Sequence, residues 1–140
     1  LAILLTQSHM TLLEVRRKRV SFLKTVARNL RLENLTICEG RAEILAQEHQ
    51  LHQAFDVVVT RATWDTEQFL RLATPFLRKS GVTIIMKGPE NPKDHHRDAR
   101  EEFPGFRLQE QRAYALPFGR EKRNLLIFAQ LTAENVSRDT

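Results

Sequence analysis

The sequence predicts an α/β fold with a mainly parallel sheet and a closing antiparallel hairpin, and three observations carry that expectation. Strand-like and helix-like segments alternate along the chain, which is the rhythm of βαβ units. The runs Phe-Asp-Val-Val-Val-Thr at 55–60 and Val-Thr-Ile-Ile-Met at 82–86 are almost continuously apolar, as in strands covered on both faces. A strand at 10–14 ends on the carboxylate of Glu14, and a helix begins at once.

The elements follow in order. Residues 1–6 read as the last turns of a helix, ahead of the strand at 10–14. Residues 16–32 form a helix, because Val20, Leu23, Ala27 and Leu30 recur at helical spacing and Phe22 and Val26 widen the stripe. A short strand spans 35–38, and Glu39-Gly40 leads into a short helical piece from Ala42. After the 55–60 strand comes a helix over 66–79, kinked or broken by Pro75. Ser80-Gly81 supplies the turn into 82–86. Residues 89–102 are polar and charged, with a helix expected in their second half. Residues 106–114 and 125–130 pair as the closing hairpin, joined through Pro117 and Gly119, and the last ten residues form a frayed tail. There is no internal repeat and no low-complexity stretch.

A length of 140 residues fits one domain over 1–140, and 41% hydrophobic with 28% charged residues is ordinary globular usage. The net charge of +5 favours a polyanionic partner. Cys38 is the single cysteine, so no internal disulfide can form, and a reducing cytoplasm is the expected compartment. Its apolar neighbours make it a buried small hydrophobe. No apolar run approaches the roughly 20 residues of a membrane span. The opening Leu1-Ala2-Ile3-Leu4-Leu5 is too short for a signal sequence and has no basic residue before it.

Glu14 is the leading candidate site residue. In nucleotide-binding α/β folds an acid at the end of the second strand accepts hydrogen bonds from ribose hydroxyls, about 20 residues after a glycine-rich turn. Here 13 residues precede Glu14 and none is glycine, so the turn is expected upstream of Leu1 and the chain is expected to start inside a domain. Arg16-Arg17-Lys18-Arg19 follows immediately. From residue 14 to residue 31 there are seven Lys or Arg and one acid, a cluster suited to phosphate and equally to a solvated helix start.

Arg61 and Lys87-Gly88-Pro89 each follow a strand at its carboxyl end, where open α/β sheets bind ligands. Gly40-Arg41-Ala42-Glu43 is placed to line an adenine pocket. Asp94-His95-His96-Arg97-Asp98 does not make a metal site, because adjacent histidines on a helix diverge and no second ligand cluster exists in the sequence; no metal is expected. Trp64 suits packing of its loop better than stacking on a base. No P-loop, no Ser-His-Asp order and no paired carboxylates suited to hydrolysis are present.

These segments together resemble a known family. Thr11-Leu12-Leu13-Glu14, Lys18-Arg19, Phe22-Leu23, Leu32-Glu33-Asn34-Leu35, Gly40-Arg41-Ala42-Glu43, Phe55-Asp56-Val57-Val58, Arg61-Ala62, Lys87-Gly88 and Arg123-Asn124-Leu125-Leu126-Ile127 stand in the order and spacing of the bacterial RsmG, or GidB, ribosomal RNA methyltransferases. The resemblance spans roughly residues 1–130. It implies a class I S-adenosylmethionine-dependent (Rossmann-like) fold, here without the first strand and its glycine-rich turn. It implies methylation of a guanine N7 in 16S rRNA, with S-adenosyl-L-methionine as cofactor and 16S rRNA or the small ribosomal subunit as partner.

By position, the resemblance gives Glu14 to the cofactor ribose, Ala42 and Glu43 to the adenine and Arg61 to the cofactor site. It turns Lys18, Arg19, Lys87 and Arg123 toward RNA, with Arg16 and Arg17 extending the basic run. Arg61, Lys87 and Arg123 become positioning residues, since N7 carries a lone pair and no proton and its methylation needs no general base. The sequence departs from the family pattern in three places: the absent glycine-rich turn, Val15-Arg16 where a small residue is usual, and Trp64-Asp65 in place of small residues.

Two other readings stay open on the residues alone. A non-catalytic basic α/β module would bind RNA through residues 16–19. A nicotinamide dehydrogenase piece would also use Glu14 on a ribose, but requires a G-x-G-x-x-G turn.

Overall fold

Asn34 organises the start of the chain. Its side-chain Nδ2 lies 3.1 Å from the Ala2 carbonyl, 3.1 Å from that of Leu5 and 3.0 Å from that of Ser8, and its own carbonyl accepts the Met10 N–H at 2.8 Å. Residues 1–6 are thereby held as turns, in place of the expected helix end. In this computed structural model, which describes residues 1–61, 65–88, 102–119 and 121–131, the backbone divides into two compact units, Leu1–Glu48 and His49–Thr140.

The first unit is a β-α-β-α segment. Strands β1 (Met10–Glu14) and β2 (Leu35–Glu39) pair in parallel with Leu12 beside Ile37 and Glu14 beside Glu39. Helix α1 (Arg17–Asn29) makes the crossover between them and anchors through Val20, which is 2% exposed. It stops short of residue 32 because Arg31 turns left-handed at φ 52°, after the Leu30 N–H has bonded the Val26 carbonyl. Phe22 and Leu30, expected on the buried stripe, are exposed. Cys38, expected to be buried, is half-buried. A one-turn helix, α2 (Ala42–Leu45), follows β2.

The second unit is a five-stranded sheet in the order β3-β4-β7-β6-β5, formed by β3 (Phe55–Arg61), β4 (Leu77–Lys87), β5 (Glu102–Phe103), β6 (Phe106–Ala115) and β7 (Lys122–Gln130). Only β3–β4 is parallel; the other three neighbouring pairs are antiparallel, so this sheet is less parallel than the sequence predicts. Helix α3 (Thr66–Ala73) is capped by Asp65, whose carboxylate accepts from the N–H groups of Glu67 and Gln68 at 3.0 and 3.3 Å.

Phe69, Leu70 and Ala73 from α3 join Leu77, Ile85, Phe103, Phe106, Leu126 and Phe128 in one core. Phe103 meets Phe128 edge-on at 5.5 Å. The expected covering of β3 on both faces is not found. Val58 packs on the core, while Val57 and Val59, which point the other way, are exposed.

The helix expected over 66–79 ends early. Pro75 sits in a 3-10 turn at Thr74–Phe76, and β4 has begun by Leu77. The Ser80-Gly81 turn lies inside the strand, where the β3–β4 register jumps from Phe55–Leu77 to Val57–Val82. Ser80 takes φ 63°. Gly81 lies close to Leu77 Cδ2 and the Arg78 carbonyl, at 2.9 and 3.0 Å from where a Cβ would stand, so a side chain there would force both to shift. The expected helix near 94–102, Trp64 and the tail beyond 131 fall outside the described residues.

Candidate functional site

The candidate cofactor corner is built in the first unit. Parallel pairing brings the end of β1 beside the end of β2, so Glu14 lies next to the Glu39-Gly40 turn that opens α2. The Gly40 N–H donates to the Glu14 carbonyl at 3.0 Å. Gly40 stands at φ 154°, and an added Cβ would meet the Leu45 side chain at 3.1 Å, so glycine is required where chain and helix approach. Ala42 is half-buried and Glu43 exposed on the first turn of α2.

The Glu14 carboxylate is fixed and ionised. Its Oε1 accepts the Arg16 backbone N–H at 2.8 Å, and Oε2 lies 3.6 Å from the Arg19 guanidinium. The Arg16 N–H is the largest cause and holds the carboxyl below the ordinary glutamate range; desolvation opposes it, and the Arg19 charge adds a smaller lowering. This contact occupies one lone pair of Oε1 and leaves acceptor capacity on both oxygens. The side chain remains 21% exposed. An acid offered in this way suits a pair of vicinal hydroxyls.

Arg16 and the first turn of α1 present a basic face. Arg16, Arg17, Lys18 and Arg19 are all exposed and no acid stands in that turn. Their charges oppose the helix macrodipole, a cost of a few tenths to about 1 kcal/mol each that an anion at this position would relieve.

The remaining predicted residues gather in the second unit. Arg61 ends β3 beside Met86, Lys87 ends β4 beside Asn124, and Arg123 is the second residue of β7, beside Tyr114. All three therefore lie at one end of the five-stranded sheet. Arg61 is exposed and Lys87 half-buried. Arg123 is 20% exposed, ion-paired with Glu121, and donates to the Lys122 carbonyl at 3.1 Å. Asn124, buried next to Lys87 in the ladder, and Tyr114 belong to the same row; Asn124 entered the sequence reading only as part of the 123–127 segment, and Tyr114 only as a strand residue, with no site role given to either. Their place at this sheet end depends on strand pairing, which the local sequence does not give.

Among the described residues no group of three or more His, Cys, Asp or Glu is placed to hold a metal ion. Asp94-His95-His96-Arg97-Asp98 lies outside those residues. No described helix is long and apolar enough to cross a membrane.

Comparison with known proteins places this architecture. Residues 1–126 match the family model GidB, rRNA small subunit methyltransferase G. The chain is 38% identical over 130 residues to the ribosomal RNA small subunit methyltransferase G of Syntrophus aciditrophicus, covering 91% of this chain and 54% of that protein. It is 35% identical over 132 residues to the protein of the same name from Carboxydothermus hydrogenoformans, covering 91% and 55%. The chain thus spans about half the length of the curated relatives it matches.

In fold it is similar to a 30S ribosomal A1408 methyltransferase from an uncultured bacterium, with TM-score 0.66 at 13% identity over 93% of this chain and 79% of the other. The mixed α/β architecture is that of the class I methyltransferases. With the family model covering most of its length, the chain belongs to the rRNA small subunit methyltransferase G family.

Proposed function

We propose that this chain carries the adenosine-holding and RNA-facing parts of an S-adenosylmethionine-dependent methyltransferase acting on a guanine N7 of 16S rRNA in the cytoplasm. The observation that carries the reading is the Glu14 corner: an ionised, oriented carboxylate at a strand end, pressed against an obligatory glycine turn. Those residues fit the ribose and adenine of the cofactor. Glu14 would accept the ribose hydroxyls, while Ala42 and Glu43 would flank the adenine.

When bound, S-adenosylmethionine supplies an electrophilic methyl group. Guanine N7 needs no deprotonation, so this chain's task is to bind, orient and exclude water. Arg61, Lys87 and Arg123, at one sheet end, would hold phosphate or guanine O6; a donor placed on N7 itself would block the nucleophile. Arg16, Arg17, Lys18 and Arg19 would take backbone phosphates. The family name of the curated relatives supports an rRNA substrate.

The test is cofactor affinity by calorimetry in the full-length protein. Glu14→Gln keeps the shape and removes the charge, and is expected to weaken S-adenosylmethionine binding by about 10-fold or more, the scale of lost charge-assisted hydrogen bonds. Unchanged affinity would remove Glu14 from the cofactor site.

A second reading is favoured by the exposed first turn of α1, with its cations and no acid. A non-catalytic module would bind RNA through that turn. Stoichiometric RNA binding with no affinity for S-adenosylmethionine would decide for it.

A further inference from the structure

The β6–β7 hairpin presents a large ring where folding alone disfavours one. The Leu116 N–H donates to the Glu121 carbonyl at 3.0 Å and closes the loop, and the Gly119 N–H donates to the Pro117 carbonyl at 3.0 Å. Phe118 is thereby the centre of a γ-turn, and its φ of 72° is that of the rarer, strained form. Glycine adopts this backbone freely, whereas a bulky L side chain does not. The ring is also fully exposed, so it adds nothing to the core. Outliers of this kind cluster at functional sites.

The surroundings indicate what such a ring meets. The hairpin turn projects from the sheet end that carries Arg61, Lys87 and Arg123, and exposed Lys122 lies four residues on. Arg123 is already engaged by Glu121, which fixes it beside the turn. Protein or lipid partners would call for a contiguous apolar patch. Here Pro117 and a single ring stand next to charged Glu121 and Lys122. A flat apolar face beside cations suits unpaired nucleic acid, in which cations take the phosphates and the ring stacks on a base.

We propose that Phe118 stacks on an unpaired base of the RNA that this protein acts on, setting the register of the strand across the basic sheet end. The inference rests on the reading that the partner is RNA, and deepens it by assigning a base-contacting residue.

The test compares two short single-stranded RNA oligonucleotides of equal length and charge, one with bases and one abasic, bound to the full-length protein at fixed salt. Phe118→Gly suits the left-handed backbone and should raise the melting temperature, so lost binding would not reflect lost folding. The expected result is about 10-fold weaker binding of the base-bearing oligonucleotide, the scale of one lost aromatic stack, with the abasic one unchanged. Phe118→Trp should restore the affinity.

If the wild-type protein binds RNA and Phe118→Gly leaves that affinity intact, or weakens both oligonucleotides equally, the stacking role is overturned while the RNA reading stands. If the wild-type protein binds neither oligonucleotide, both fall.

Discussion

At the scale of single residues, Glu14 shows how a backbone contact gives a carboxylate its role. The Arg16 N–H has no intrahelical acceptor at the helix entrance; by accepting it, Glu14 stays ionised and oriented. The lowered pKa has a signed consequence. A carboxyl depressed in the folded state stabilises that state above its unfolded pKa, and the contribution disappears as pH falls through the folded value. Glu14→Gln is therefore expected to be less stable than wild type at neutral pH, with the difference closing as the pH is lowered through and below the ordinary glutamate range. Urea denaturation of both proteins across that range measures it, and a pH-independent difference would show that the charge contributes nothing. Cofactor binding would draw on the same ionised form.

At the scale of elements, Asp65 is the clearest lever. It closes the first turn of α3 with two backbone hydrogen bonds, and α3 supplies Phe69, Leu70 and Ala73 to the core beneath β4. Asp65→Ala is expected to cost about 1 kcal/mol, with Asp65→Asn close to neutral, as read by thermal denaturation. Equal stability of all three proteins would mean that the cap adds nothing beyond packing. The structure supplies a local reason for an acid at this position.

Elements were legible where the signal was local. The stop at Glu14, the existence of α1 and the 55–60 strand follow from period and side-chain type, though the stripe of α1 was drawn too wide at Phe22 and Leu30; the comparisons bear out the family and the fold class. What depends on pairing was not legible. The sequence marks Ser80-Gly81 as a turn, and only the ladder with β3 shows that turn to be an interruption within a strand. Arg61, Lys87 and Arg123 could each be read as strand-end cations, but their common sheet end needs the antiparallel return of β7. Phe118 was overlooked between Pro117 and Gly119. Two turn-formers flanking an aromatic residue were the available signal, and they were read only as a connection.

At the scale of the whole molecule, the two units differ in how much they bury. In Leu1–Glu48 the buried apolar side chains among the described residues are Ala2, Val20, Leu45 and Ala46, and Leu12 and Leu13 of β1 are exposed. In His49–Thr140 the core holds four phenylalanines and places Ile85 and Phe128 at 0% exposure. Local stability follows buried apolar contacts, so amide hydrogen exchange is expected to be slowest in β4 and β7 and markedly faster in β1 and β2. Equal protection in the two units would show that buried area does not set the order.

The interruption in β4 has one more consequence. Between paired positions β3 advances two residues while β4 advances five, so Arg78, Lys79 and Ser80 are extruded as an exposed loop and the ladder resumes in step beyond them. The surplus is already accommodated there. For protein engineering this makes Lys79 a natural attachment point: a fluorophore or an affinity handle placed on it would ride outside the hydrogen-bonded frame, at the opposite end of β4 from Lys87.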